Sequence, residues 1–137
     1  MKRRKIFRRG LNVLIGAIFA LNASIACAEV YDGAGVYFMT DETVEFAKNK
    51  AELEAQRDVL EKICVYVKSI STVINNQLEN DEIITISAGI LHVIDTKFSM
   101  EPKDKWIEVK SFVTAQIDID ELKKLLERAI KERVSDD

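Results

Sequence analysis

The chain has 137 residues, with 20 Lys plus Arg against 23 Asp plus Glu and a formal net charge of −3. Six of the cations (Lys2, Arg3, Arg4, Lys5, Arg8, Arg9) crowd the first nine positions. Beyond residue 28 the remaining 14 basic and 23 acidic groups leave a net charge of −9. A body that acidic repels phosphate backbones and anionic lipid headgroups, which argues against a nucleic-acid partner. The length allows one domain, and 47% apolar residues with a single proline, Pro102, argue for a folded one rather than a disordered segment.

The front of the chain reads as an export signal. A basic segment precedes the apolar run from Val13 to Leu21, which leads into the small residues Ala26-Cys27-Ala28. Charge, a short hydrophobic core and a small-x-small site make up a secretory signal peptide over residues 1–28, with a mature domain from Glu29 to Asp137. The apolar run falls short of the roughly 20 residues that an ordinary membrane-spanning helix needs. Ala23-Ser24-Ile25-Ala26-Cys27 also resembles a degenerate lipobox, so lipidation at Cys27 is the alternative, with Ser24 standing where the usual leucine would be.

Within the body, Val30 to Met39 is expected as a first strand, with Gly33 and Gly35 loosening its start. Thr40 or Asp41 can cap a helix from about Asp41 to Cys64, which is rich in Ala, Glu, Lys and Leu. Ala47, Ala51, Ala55, Val59 and Ile63 recur every four residues, and Phe46, Leu53 and Leu60 every seven. The first row suits close packing on a sheet. The second points elsewhere, to the C-terminal helix or to a partner protein. Val65 to Ile74, rich in β-branched residues, is expected as a second strand. Asn80 or Asp81 then caps a short helix, Glu82 to Ala88, which Gly89 ends.

Ile90 to Met100 and Trp106 to Ile117 are expected as a hairpin around the polar loop Glu101–Lys105. Its register would place Met100 opposite Trp106, Ile94 opposite Phe112, Val93 opposite Val113 and Leu91 opposite Ala115. Asp118 and Glu121 form an acidic capping box for a last helix striped by Leu122, Leu125, Leu126, Ala129 and Ile130. The order β-α-β-α-β-β-α predicts an α+β fold, a small four-stranded mixed sheet with helices packed on it.

Residues that could carry chemistry are few. His92, the only histidine, lies in a strand pattern without a neighbouring nucleophile and orienting group, so it reads as structural. Cys64, the one cysteine of the mature domain, sits in the apolar stretch Ile63-Cys64-Val65 and reads as a small hydrophobe. Asp118, Asp120 and Glu121 lack the spacing and the glycine of a calcium loop, and with Asp81 and Glu82 they read as helix-start carboxylates. The mature chain retains three glycines, too few for a phosphate-cradling loop, and no Gly-x-Ser-x-Gly or His-Glu-x-x-His motif occurs. No catalytic residue, metal site or cofactor is expected.

Three stretches carry a family resemblance. They are Cys64-Val65-Tyr66-Val67-Lys68-Ser69, the segment from Leu78 to Leu91, and Val113-Thr114-Ala115-Gln116-Ile117-Asp118. Together, over residues 34–126, the chain resembles small exported bacterial proteins related to the N-terminal domain of flagellar assembly protein T and to small envelope lipoproteins. Cys64 stands where such sequences commonly carry glycine. The resemblance implies a helix packed on a small mixed sheet and an envelope or appendage-associated interaction module, and it transfers no functional residue. The expectation is therefore an exported, non-enzymatic envelope protein, periplasmic or extracellular, that binds another envelope protein or itself. Its candidate partner surface is Phe46, Leu53 and Leu60. A lipoprotein anchored through Cys27 and a small hydrolase are the alternatives.

Overall fold

Strand β1 (Ala28–Met39) begins the part of the chain that a computed structural model describes, residues 28–137. Residues 1–27 of the signal segment, the candidate lipidation site Cys27 among them, lie outside these residues. After β1 come α1 (Val44–Ile70), α2 (Thr72–Gln77), α3 (Asn80–Ala88), β2 (His92–Pro102), β3 (Ile107–Asp118) and α4 (Ile119–Ser135). The architecture is α+β. Its sheet has three strands in the order β1-β3-β2, antiparallel throughout.

The four-stranded mixed sheet and the order β-α-β-α-β-β-α are thereby corrected, because the stretch Val65–Ile74 is helical. The buried row of α1 does not stop at Ile63 but continues to Val67, which is fully buried. Continuing the helix places Val67 on the core, and that burial outweighs the small β preference of Val65, Val67, Ile70 and Val73. Ser71 ends the helix. Its N–H donates to the Val67 carbonyl at 3.2 Å, and its hydroxyl accepts the Ile74 N–H at 3.3 Å to start α2.

Local caps fix the other helices. The Thr43 side chain accepts the N–H of Phe46 at the start of α1, so the cap is Thr43 rather than Thr40 or Asp41. Ahead of it, the Glu42 carboxylate takes the Thr40 N–H and the Tyr37 hydroxyl at 2.9 and 2.8 Å. Those donors hold the carboxyl down at about 2. Glu79 and Glu82 form a reciprocal capping box on α3, and Asp118 accepts the Glu121 N–H at 3.0 Å on α4.

Helix α1 lies across one face of the sheet. Ala47, Ala51, Ala55, Val59 and Ile63 are fully buried there, beside Val109, Val113 and Ala115 of β3. Gly33 and Gly35 are what allow the close approach. A Cβ on Gly33 would fall 2.6 Å from Val59 Cγ2 and one on Gly35 2.8 Å from Glu54 Cβ, with a helix carbonyl nearer still in each case. Neither glycine has positive φ, so steric clearance rather than backbone freedom explains them. Helices α2, α3 and α4 close the other end of the core through Ile74, Leu78, Ile83, Leu122 and Leu126.

The hairpin is real but its register differs from the sequence reading. Pro102 pairs with Ile107, and the Lys103 N–H donates to the Trp106 carbonyl at 2.8 Å, so the connection is shorter and Trp106 belongs to it. Met100 faces Val109, Val93 faces Ala115, and Phe112 faces Lys97 on one side and Ala34 on the other. A bulge at Ile94 then shifts the pairing by one between Val93 and Asp95, so the offset from the expected register is three on the turn side of it and two beyond it. Pro102 fits at the end of β2 because that strand is an edge, where a missing N–H costs no ladder bond.

Candidate interaction surface

Among the described residues, helices cover one face of the sheet and leave the other exposed. On that outer face β1 presents Val30, Asp32, Ala34, Val36 and Phe38, β3 presents Glu108, Lys110, Phe112, Thr114 and Gln116, and β2 presents His92, Asp95, Lys97, Ser99 and Glu101. Phe112 lies beside Ala34 and diagonal to Val36. Phe38 follows on the same strand and meets Trp106 edge-to-face at 6.1 Å between ring centroids. Ala34, Val36, Phe38, Phe112 and Trp106 thus form one apolar band, and Phe38 and Phe112 are about half exposed, at 55% and 49%. Polar pairs border it: Lys110 with Glu108 at 3.0 Å, and the Thr114 hydroxyl donating to Asp32 at 2.8 Å. A contiguous exposed apolar band with a charged surround is the usual signature of a protein-contact surface.

The three residues singled out as a candidate partner surface do not share one. Phe46 rests edge-on against Tyr37 with centroids 6.0 Å apart, Leu53 projects into solvent, and Leu60 is buried. The reason is geometric. On a 3.6-residue helix, a row stepping every four residues rotates by about +40° per step, while a seven-residue repeat rotates by about −20°. The buried alanine row and the seven-residue row therefore diverge by roughly a quarter turn per heptad. Helix α4 packs on α2, α3 and β3 rather than over this row.

The other candidates sit where bland roles suffice. His92 is exposed on the outer face opposite Gln116. Cys64 is buried, and burial pushes its thiol pKa up, as for a packing residue. Asp81 and Glu82 occupy the first turn of α3, Asp118 caps α4, and Asp120 and Glu121 fill its first turn. Glu82 also pairs with Arg133, tying α4 to α3. Among the described residues no group of three or more His, Cys, Asp or Glu is placed to hold a metal ion, and no helix is long and apolar enough to cross a membrane.

The outer band escaped the sequence reading, although β1 held a signal. Its alternate positions are apolar on both sides: Tyr31, Tyr37 and Met39 on one, Val30, Ala34, Val36 and Phe38 on the other. A strand read this way has a second face to cover. No model of a known protein family matches the chain, and no curated protein sequence matches it either.

Proposed function

We propose that this chain is an exported, non-enzymatic module that binds another cell-envelope protein through the outer face of its sheet. The observation that carries the reading is the band Ala34, Val36, Phe38, Phe112 and Trp106 on a face that no helix of the described residues covers. Charge describes the partner. The residues beyond the leader carry −9, so the complementary surface is apolar at its centre and basic around it. Export rests on the signal-like N-terminus, and the resemblance to the N-terminal domain of flagellar assembly protein T and to envelope lipoproteins supports the same compartment. Lipidation at Cys27 is the second form of this reading, since Ala23-Ser24-Ile25-Ala26-Cys27 resembles a degenerate lipobox.

Site-specific photo-crosslinking in the producing cells tests the interface. A photoreactive residue at Phe112 should give one discrete adduct in the envelope fraction, and the same residue at Leu53 on the exposed back of α1 should give none. Adducts from both positions, or from neither, would overturn the reading. Mass spectrometry of the exported chain is expected to show an unmodified N-terminal Glu29, whereas a diacylglyceryl group on Cys27 would establish the anchored form.

A further inference from the structure

The two edges of the sheet are treated differently. At the β1 edge, helix α1 caps the open backbone: the Ala34 N–H donates to Asp58 at 3.0 Å, and Lys62 donates to the Asp32 carbonyl at 2.7 Å. Asp58 and Lys62 are themselves paired at 2.9 Å, so one ion pair guards the middle of that strand against a foreign one. Strand alternation then fixes the rest of the ladder. Since residues 32 and 34 face the open edge, the odd residues of β1 bond β3, the even residues of β3 bond β2, and Thr96, Phe98 and Met100 turn their backbone groups to the free edge of β2. No side chain of the described residues donates to or accepts from those groups.

The side chains beside this edge are also incompletely covered. Helix α1 lies over β1 and β3, so Phe98 and Met100 remain 38% and 40% exposed on the inner face. A groove runs between them and the flank of α1, lined by Val44, Lys48, Glu52 and Phe98. Lys48 sits 5.2 Å from the Phe98 ring centroid, and Thr96 donates to Glu52 at 3.4 Å.

We propose that β2 pairs antiparallel with β2 of a second copy of this chain, about a two-fold axis at Thr96, to make a continuous six-stranded sheet. Charge selects both the occupant and the register. Asp95 and Lys97 flank Thr96 on the outer face, loosely paired within the chain at 3.9 Å. Their side chains are still 55% and 78% exposed and able to exchange that contact for one with a second copy. A two-fold axis at Thr96 sets each Asp95 opposite Lys97 of the second copy, two complementary pairs from one self-complementary sequence. An axis at Phe98 would instead oppose Asp95 to Glu101, like charges across the ladder. In the Thr96 register the edge-facing backbone of Thr96 bonds its counterpart, and the bulge at Ile94 of each copy ends the regular pairing opposite Phe98 of the other. The two grooves beside α1 then merge over the new strand pair. This goes beyond the proposed function, because the edge is distinct from the outer face and stands whether or not that face has a partner.

Sedimentation velocity on the purified chain, in the form that producing cells accumulate, tests the proposal through a charge-reversal set. Wild type is expected to dimerise. Asp95→Lys alone and Lys97→Asp alone should each weaken the dimer by about tenfold or more, because each sets like charges opposite one another twice. An equimolar mixture of the two single variants should restore a heterodimer, and the double variant Asp95→Lys/Lys97→Asp should restore the homodimer. Both side chains are exposed, and circular dichroism should show every variant folded. A wild-type chain that stays monomeric at every concentration reached would overturn the proposal. So would a dimer indifferent to both reversals, or one broken by Phe112→Glu on the outer face instead.

Discussion

The Asp58 carboxylate of α1 accepts the backbone N–H of Ala34 in the middle of β1, at 3.0 Å and across 24 residues of sequence. With Lys62 on the Asp32 carbonyl, it ties the longest helix to the strand beneath it and closes an edge that would otherwise stand open. The bond to Lys62 first, and that from the Ala34 N–H second, lower the Asp58 pKa.

A depressed carboxyl pKa has a definite sign in stability. The ionised group favours the folded state above its unfolded value of about 3.9, and the benefit is lost as pH falls through the lower folded value. Asp58→Asn is therefore expected to be less stable than wild type near neutral pH, with the gap narrowing as pH drops below about 3.9. Urea midpoints for both chains at pH 7 and pH 3 check this. A gap that widens in acid would assign Asp58 no such role.

Gly35→Ala tests the contact between helix and strand. At an unconstrained strand site, alanine would stabilise by some tenths of a kcal/mol through the unfolded chain. Here the added methyl meets Glu54 Cβ and the backbone of Ala51 and Ala55. The expected outcome is a loss of about 1–3 kcal/mol or more, as for overpacking a dense core. A chain as stable as wild type would show that α1 shifts away without cost.

Part of this architecture was legible in residue spacing and part was not. The alanine row announced a helix pressed on a sheet, and Asp118 with Glu121 announced the start of α4, because both are local patterns with one physical reading. Val65–Ile74 misled because its β-branched residues carry a weak local preference, while the burial of Val67 depends on what the helix meets in three dimensions. The hairpin register failed at two local features: a connection tightened onto Asp104-Lys105 and the bulge at Ile94. Gly33 and Gly35 by themselves suggest only a loosened strand end, because their role exists only once α1 lies above them. The outer band was hidden for a similar reason, since Phe112 and Trp106 count as core until the sheet shows which face lacks a helix.

Leu53 and Leu60 are seven residues apart on one helix and should respond oppositely. Leu53→Glu places a charge in solvent and should change stability by no more than about 0.5 kcal/mol. Leu60→Glu would bury an unpaired carboxylate, so the chain is expected to unfold or lose several kcal/mol. Thermal melts of the two variants decide the matter. Equal destabilisation would mean that the seven-residue row forms one surface after all.

Ser111 is fully buried on β3 beneath α1, between Gly35 on one side and Phe98 on the other, and its hydroxyl has no hydrogen-bond partner among the described residues. A buried, unsatisfied polar group costs about 1–3 kcal/mol. Ser111→Ala removes that group while keeping the Cβ, so it should raise the urea midpoint without changing the denaturant slope. A lower midpoint would show that the hydroxyl is satisfied in solution.

Phe112 separates a binding surface from a core. Had it faced Ile94 inside the sheet, truncation to alanine would cost about 3–5 kcal/mol. Its ring instead stands about half exposed on the outer face, beside Ala34 and diagonal to Val36. Only part of its transfer free energy is therefore realised in the free chain, and Phe112→Ala is expected to cost no more than about 1 kcal/mol. Ile63→Ala, at a fully buried position of α1, should cost about 2–5 kcal/mol in the same measurement. A residue that contributes this little to folding and still presents a large apolar ring is available to contribute to binding. If Phe112→Ala proves as damaging as Ile63→Ala, the outer face is covered in the free chain, and the docking surface proposed for it does not exist.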